Sequence, residues 1–393
     1  MSVWAVVALA GLGGCKETKP TPTPEPGGEV QATRTALLGA FGACVVTSAR
    51  DFQQVAAELE TATAALAAQP GDSTRNAARA AYHRAMDAWQ ILETMQVGPA
   101  APRSMPGGAE LRDNIYSWPL VSRCAIEEQL VSRSYESQDF PNSLISRRGL
   151  YAVEYLLFYE GTDTACGPTS PIVSGGTWAA LSTEEKQARK RAYAAAAAED
   201  VHRRAVQLTE AWEPGKGDFA KTLETAGPGN TVYATSQAGL NSVSDALFYV
   251  EQTVKDTKLA RPLGLRDCDG DTCPEYLESQ FAARSKANVR SNLVGYRRVM
   301  EGCGPDFSGV AFDDLLVAVG SEALATKLHE RGAAAQAALE AVNESDLVQA
   351  LDQDKASVRA LYDGVKGMTD VLKTELVTVL DLELPQTVEG DND

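Results

Sequence analysis

Histidine is the scarcest chemically versatile residue in this chain: 393 residues include only three, His83, His202 and His329. None belongs to an H-E-x-x-H pair, and no G-x-S-x-G elbow occurs. Zinc proteolysis draws on two or three clustered imidazoles, so the sequence argues against a zinc peptidase and against an elbow-type serine hydrolase. Positive charge is also in short supply. Lys and Arg number 36 against 53 Asp and Glu, a formal net charge of −17. That balance excludes nucleic acid as a natural partner, because phosphates are repelled; a solvated acidic exterior is its ordinary meaning. No apolar run reaches the roughly 20 residues that a spanning helix needs, and no segment alternates apolar and polar residues as a half-buried strand does.

The longest apolar run at the N-terminus, Trp4 to Leu12, is short enough to be a targeting segment. It ends in Leu12-Gly13-Gly14-Cys15, which looks like a lipobox, although no Lys or Arg precedes Trp4. Residues 1–14 are expected to be a signal peptide and Cys15 a lipidated cysteine. Residues 15–30, with Thr-Pro repeats between Lys16 and Gly28, read as an extended tether. The mature protein is then a soluble body lipid-anchored in the bacterial cell envelope, facing the periplasm or the cell surface, with the membrane as a partner through that anchor. Beyond Cys15 there are six cysteines: Cys44, Cys124, Cys166, Cys268, Cys273 and Cys303. An even count in a secreted chain favours up to three disulfides. Cys268 and Cys273 bracket a tight Asp/Gly loop and form the expected pair; the other connectivities stay open.

The remainder reads as all-α. Helical periodicity runs over about 31–68, 73–95, 121–134, 143–159, 182–212, 235–258, 280–301, 312–340 and 345–380. Gly98 to Gly108 is loop, and Ser182 with Glu184 and Glu185 signals a helix start. A Pro/Gly/Ser stretch at 166–181 separates an N-terminal bundle, 31–165, from a C-terminal bundle, 182–385, followed by an acidic tail at 386–393. The run from Gly149 to Tyr159 is echoed from Gly239 to Tyr249, with Gly, Leu, Val, Leu, Phe and Tyr at the same offsets. The expectation is two tandem bundles related by internal duplication, with a cleft between them.

The first of those runs, Gly149-Leu150-Tyr151-Ala152-Val153-Glu154-Tyr155-Leu156-Leu157-Phe158, sets one carboxylate in an apolar helix. Such a group is costly unless a cation, a metal or several hydrogen bonds compensate it. Tyr151, three residues earlier, is its neighbour on a helix. Arg147 and Arg148 precede the run, and Arg112 and Arg123 flank a Trp118-containing stretch; all are candidate counter-charges. Three other constellations carry less. Glu199 and His202 form an E-x-x-H pair without the second pair a di-iron bundle uses. Asp267, Asp269, Asp271 and Glu278 follow calcium-loop spacing, but Thr272 stands where that loop needs Gly. Trp89, Tyr116, Tyr155 and Tyr159 are read as core.

The Gly149–Glu154 segment resembles the G-x-H-x-x-E motif of the imelysin family, helical proteins of the bacterial surface and periplasm that are also classed with peptidases. Ile115-Tyr116-Ser117-Trp118-Pro119, Arg123-Cys124, Phe158 to Asp163 and Cys166 to Pro171 are similar to that family's other motifs. So is Lys255-Asp256-Thr257-Lys258-Leu259 followed by Pro262-Leu263-Gly264. The resemblance spans roughly residues 30 to 385. It implies a helical fold, a link to iron or another metal, and Tyr151 and Glu154 as ligand or metal residues supported by Gly149, Trp118, Arg123 and Arg112. The motif's histidine is Tyr151 here, which counts strongly against zinc and less against iron; the alternative is an organic or peptide ligand held by Glu154 and an arginine. The function this implies is non-enzymatic ligand binding tied to iron or metal acquisition, ahead of a metal-dependent peptidase or a scaffolding lipoprotein.

Overall fold

Apolar residues recur on one face of the long helices, and side-chain caps start several of them: Ser122, Ser182, Thr235, Asp346 and Asp354 each accept a first-turn amide. The computed structural model describes residues 27–385; Cys15, the tether up to residue 26 and the tail at 386–393 lie outside them. In chain order the helices are α1 (Gly28–Ala68), α2 (Asp72–Glu93), α3 (Leu111–Ile115), α4 (Arg123–Ser132), α5 (Gly149–Phe158), and the single turns α6 (Pro171–Ser174) and α7 (Thr177–Ala180). Then come α8 (Thr183–Trp212), α9 (Phe219–Glu224) and α10 (Ser236–Tyr249), which runs directly into a π-helix, Val250–Ala260. The last part holds α11 (Ser285–Met300), α12 (Phe312–Ala318), α13 (Glu322–Ala341), α14 (Leu347–Gln353), α15 (Lys355–Val371), a short π-turn at Leu372–Leu376, and α16 (Val377–Leu380). The fold is all-α, and no strand occurs among the described residues.

α1, α2, α5 and α8 pack together, and α11, α13, α15 and the π-helix form a second group; α2 against α11 is the main seam between them. This corrects the boundary expected at 166–181, which places α8 in the second bundle. α8 instead lies along α1 and α5, because its apolar stripe, Tyr193, Ala194, Ala197, Val201, Ala205, Leu208 and Trp212, is buried there. Its start is as expected: Ser182 accepts from the Glu185 amide and Glu185 reaches back to the Ser182 amide, a complete capping box. α1 alone among the described helices is long and apolar enough to cross a membrane, yet its buried face, from Leu37 through Leu66, is core of the first group.

Four expected helices are shorter or broken. The segment expected from residue 143 holds only a 3-10 turn, Ile145–Arg147, before α5 begins at Gly149; the 312–340 segment breaks at Gly320 (φ 80°) and the 345–380 segment at Asp354. The segment expected from residue 280 begins at Ser285, because Ser279 (φ 52°) and Ala283 (φ 49°) hold left-handed backbone conformations. Residues 277–284 are therefore irregular, and the amides of Phe281 and Ala282 are not used in a helix. All six cysteines beyond Cys15 are paired: Cys44–Cys303, Cys124–Cys166 and the expected Cys268–Cys273. The first ties α1 to the turn after α11.

Candidate functional site

Gly149 explains why two of the motif segments belong together. It opens α5 at φ 77°, and a Cβ there would sit 2.6 Å from the carbonyl oxygen of Ile115. Glycine lets α5 start hard against the Ile115–Pro119 turn. Gly149→Ala is expected to cost at least about 1–3 kcal/mol from backbone strain, with the clash adding to it; a thermal melt checks this, and an unchanged melting temperature counts against the packing described. The aligned Gly239 sits differently, inside α10 against Ala226 and Leu38.

α5 then carries Glu154 into the seam between the two groups of helices. Its side chain is fully buried. Oε1 accepts the amides of Phe281 and Ala282, both at 3.0 Å, and the Tyr82 hydroxyl donates to Oε2 at 3.3 Å. The amides are available because 277–284 is not helical. Burial pushes the Glu154 carboxyl up to about 7, with the nearby Glu278 adding to the rise and the two amides opposing it.

No arginine compensates Glu154, which corrects the expected pairings. Arg112 donates to Glu93 at 2.9 and 2.6 Å, to Asp113 at 2.8 Å and to the Trp118 carbonyl at 2.7 Å. Arg123 pairs with Glu127 (2.7 Å) and Asp163 (2.9 Å). Arg148 pairs with Asp200 (3.3 Å), and Arg147 lies 3.9 Å from Glu128. Each of these arginines has a carboxylate partner of its own. Arg112 and Trp118 do line the seam, whereas Arg123 sits beyond it, over the Tyr159 ring at 4.1 Å.

Around Glu154 lies a buried polar network that sequence reasoning missed. Lys258, on the π-helix, donates to Gln90 Oε1 (2.6 Å) and Asn292 Oδ1 (2.8 Å) and pairs with Glu278 at 2.8 Å. Gln90 donates to Glu278 (2.8 Å), and the Asn292 amide donates back to Gln90. Tyr116 stands among these groups. Burial, Glu278, Tyr82, Glu154 and Glu93 together drive its phenol well above the ordinary tyrosine range, and its hydroxyl is buried without a hydrogen-bond partner among the described residues. Tyr116 and Lys258 stand in quoted motifs, so a signal for them was present; Tyr82, Gln90 and Asn292 carry none. Glu278, weighed as a calcium ligand, belongs here and not to the Asp267–Asp271 turn.

Tyr151 lies within reach of the same seam. It is nearly buried, its ring 6.2 Å from that of Phe281. Burial and Glu154 push its phenol up from the usual value, while Arg123 opposes the rise. The expected cleft is filled at this point: Glu154 and Tyr151 are packed, not open. The three histidines are scattered over separate partners, His83 on Arg284 (3.0 Å), His202 on Glu60 (2.5 Å) and His329 on Asp313 (3.0 Å). One His/Cys/Asp/Glu cluster of metal-site geometry occurs among the described residues, Cys124, Glu128 and Cys166, and its two cysteines are disulfide-bonded.

Residues 45–372 match the family model described as Imelysin. Iron-regulated protein A of Synechococcus elongatus is 23% identical over 360 residues, 90% of this chain and 89% of that protein. Two crystal structures share the fold. One, an imelysin-like protein from Psychrobacter arcticum, has a TM-score of 0.67 at 19% identity and covers 91% of this chain and 98% of its own. The other, described as an iron-regulated protein A precursor from Parabacteroides distasonis, has a TM-score of 0.67 at 14% identity and covers 93% and 96%. With the glycine-led motif helix and the family-model match over most of its length, the chain belongs to the imelysin family.

Proposed function

We propose that this protein is a non-enzymatic, ligand-binding imelysin of the bacterial cell envelope, lipid-anchored through Cys15 and linked to iron acquisition, with its site at Glu154. The observation that carries this reading is a fully buried carboxyl that bonds to two amides and a phenol and to no cation among the described residues, so that burial favours its holding a proton. Such groups cluster at functional sites. A bound cation would take the place of that proton.

The residues suit iron as cargo. Glu154, Tyr151 and the unpartnered Tyr116 hydroxyl offer oxygen donors only, and tyrosine oxygen is an established iron ligand. Arg112 and Lys258 already balance Glu93 and Glu278, so the uncompensated charge rests on Glu154. The raised phenol of Tyr151 works against phenolate formation, and the charge of a bound ion works in the other direction. Two relatives named for iron regulation support the same reading. Three disulfides are at home in an oxidising compartment and support the envelope placement. Peptidase chemistry is disfavoured because the three imidazoles stand apart.

A second reading has its own observation. Glu154 bonds across the seam to Phe281 and Ala282, as a purely structural fastener does. Equilibrium loading with iron, zinc and copper, counted by mass spectrometry, separates the two. Ligand binding is expected to give stoichiometric iron in the natural chain and none in Glu154→Ala, while Tyr151→His, which restores the family's motif, extends the site to zinc. A natural chain that takes up no metal, with Glu154→Ala merely melting lower, supports the fastener.

A further inference from the structure

The positive charge that is scarce in this chain gathers at one end of the first helical group. Between α2, α5 and α8 lies a cavity of about 290 Å³ whose lining includes Arg75, Arg79, Arg191, Gln187, Tyr159 and Glu160. Three guanidiniums thus face one carboxylate in a molecule of net charge −17. None of the six belongs to the Glu154 network. We propose that this pocket binds a small multivalent oxyanion of the phosphate or tricarboxylate class, a site that does not rest on the metal reading above.

The three arginines are differently committed. Arg79 is held in place: its Nε donates to the Leu157 carbonyl at 2.9 Å, its Nη2 to Glu160 at 2.8 Å, and its guanidinium lies 5.2 Å from the Phe158 ring centroid. Arg75 pairs only with Asp72, whose side chain is 90% exposed, so that pair is screened by solvent and easily exchanged. Arg191 makes no ion pair or hydrogen bond among the described residues. Behind the Tyr159 wall, the buried Lys190 ammonium donates to the Tyr159 carbonyl at 2.7 Å and has no carboxylate bonded to it. Its charge adds to the field at the pocket.

The planar guanidinium fork matches carboxylate and phosphate oxygens, and a concave site with a net excess of positive charge, three arginines against Glu160, raises the local concentration of anions. The volume lies at the small end of ligand pockets. It suits an anion of a few to about a dozen heavy atoms. A monovalent anion finds little here that water does not offer, whereas a multivalent one engages Arg191 and Arg75 together beside the fixed Arg79.

Isothermal titration of the purified full chain with inorganic phosphate and, separately, with citrate, in a low-salt buffer at pH 7, tests this. Saturable one-site binding of at least one anion is expected, and the arm that saturates identifies the source. Arg191→Glu is expected to weaken it about tenfold or more with the melting temperature unchanged, since Arg191 supports no other group. Arg75→Glu is expected to weaken it in the same direction. Absence of saturable binding in both arms overturns the proposal, and so does a natural affinity retained in Arg191→Glu and Arg75→Glu.

Discussion

Replacing Lys258 with methionine is expected to lower the unfolding free energy by about 3–5 kcal/mol at neutral pH, the usual consequence of removing one partner of a buried ion pair. Methionine fills much the same space, so the loss is electrostatic and not a matter of cavity formation. Lys258 is almost inaccessible, and it joins Gln90, Asn292 and Glu278 through three contacts of 2.6–2.8 Å. Its ammonium also lies 5.7 Å from the centroid of the Trp118 ring and 5.6 Å from that of Tyr249. Without it, Glu278 retains the Gln90 amide and no cation. Chemical denaturation of Lys258→Met and of Lys258→Met/Glu278→Gln checks this. The double variant is expected to recover most of the loss, because both ends of the charge imbalance are gone. A single variant that loses under about 1 kcal/mol shows that the pair is screened like a surface bridge.

Glu154→Gln is expected to change how stability depends on pH. The folded carboxyl is raised from 4.5 to about 7, so between those values the folded chain holds a proton that the unfolded chain has released. The stabilisation from that proton is full below about 4.5 and is lost as pH rises through about 7. The whole change is on the order of 3 kcal/mol. Glutamine does not titrate; it presents an oxygen to the Phe281 and Ala282 amides and an NH₂ to the Tyr82 hydroxyl. Relative to the natural chain, the variant therefore gains stability between pH 5 and pH 8, as urea midpoints measured across that range will show. A difference that stays flat with pH contradicts the raised carboxyl.

The sequence made Glu154 visible because a carboxylate stands out in an apolar helix. It made Gly149 visible by resemblance and the Cys268–Cys273 pair by spacing. The Ser182 cap was legible too, since capping is local chemistry. What it concealed is what closes on Glu154. Tyr82 is 72 residues away and the two amides 127 and 128, and backbone N–H groups have no residue-type signature. Nearby arginines were the obvious counter-charges by proximity, yet each is taken by a carboxylate of its own, such as Glu127 four residues from Arg123 and Asp200 across the bundle from Arg148. Glu278 looked like the end of an acidic loop, because its true partner, Lys258, faces it from a π-helix whose altered winding no periodicity announces. The place of α8 was misjudged for a related reason. A Pro/Gly-rich stretch marks a break in the helix, not a change of bundle, and only the buried stripe facing α1 and α5 shows where the chain returns.

Titration of the Glu154 carboxyl itself tests most directly whether a buried, uncompensated acid sits at this seam. Side-chain ¹³C-carboxyl NMR of the purified chain, with the signal assigned by its loss in Glu154→Gln, reports the protonation of that one group. A midpoint near 7 is expected without metal, moved to lower pH when iron is added, as a cation replaces the proton. A midpoint in the ordinary glutamate range, unmoved by iron, contradicts the uncompensated buried carboxyl and the ligand site built on it.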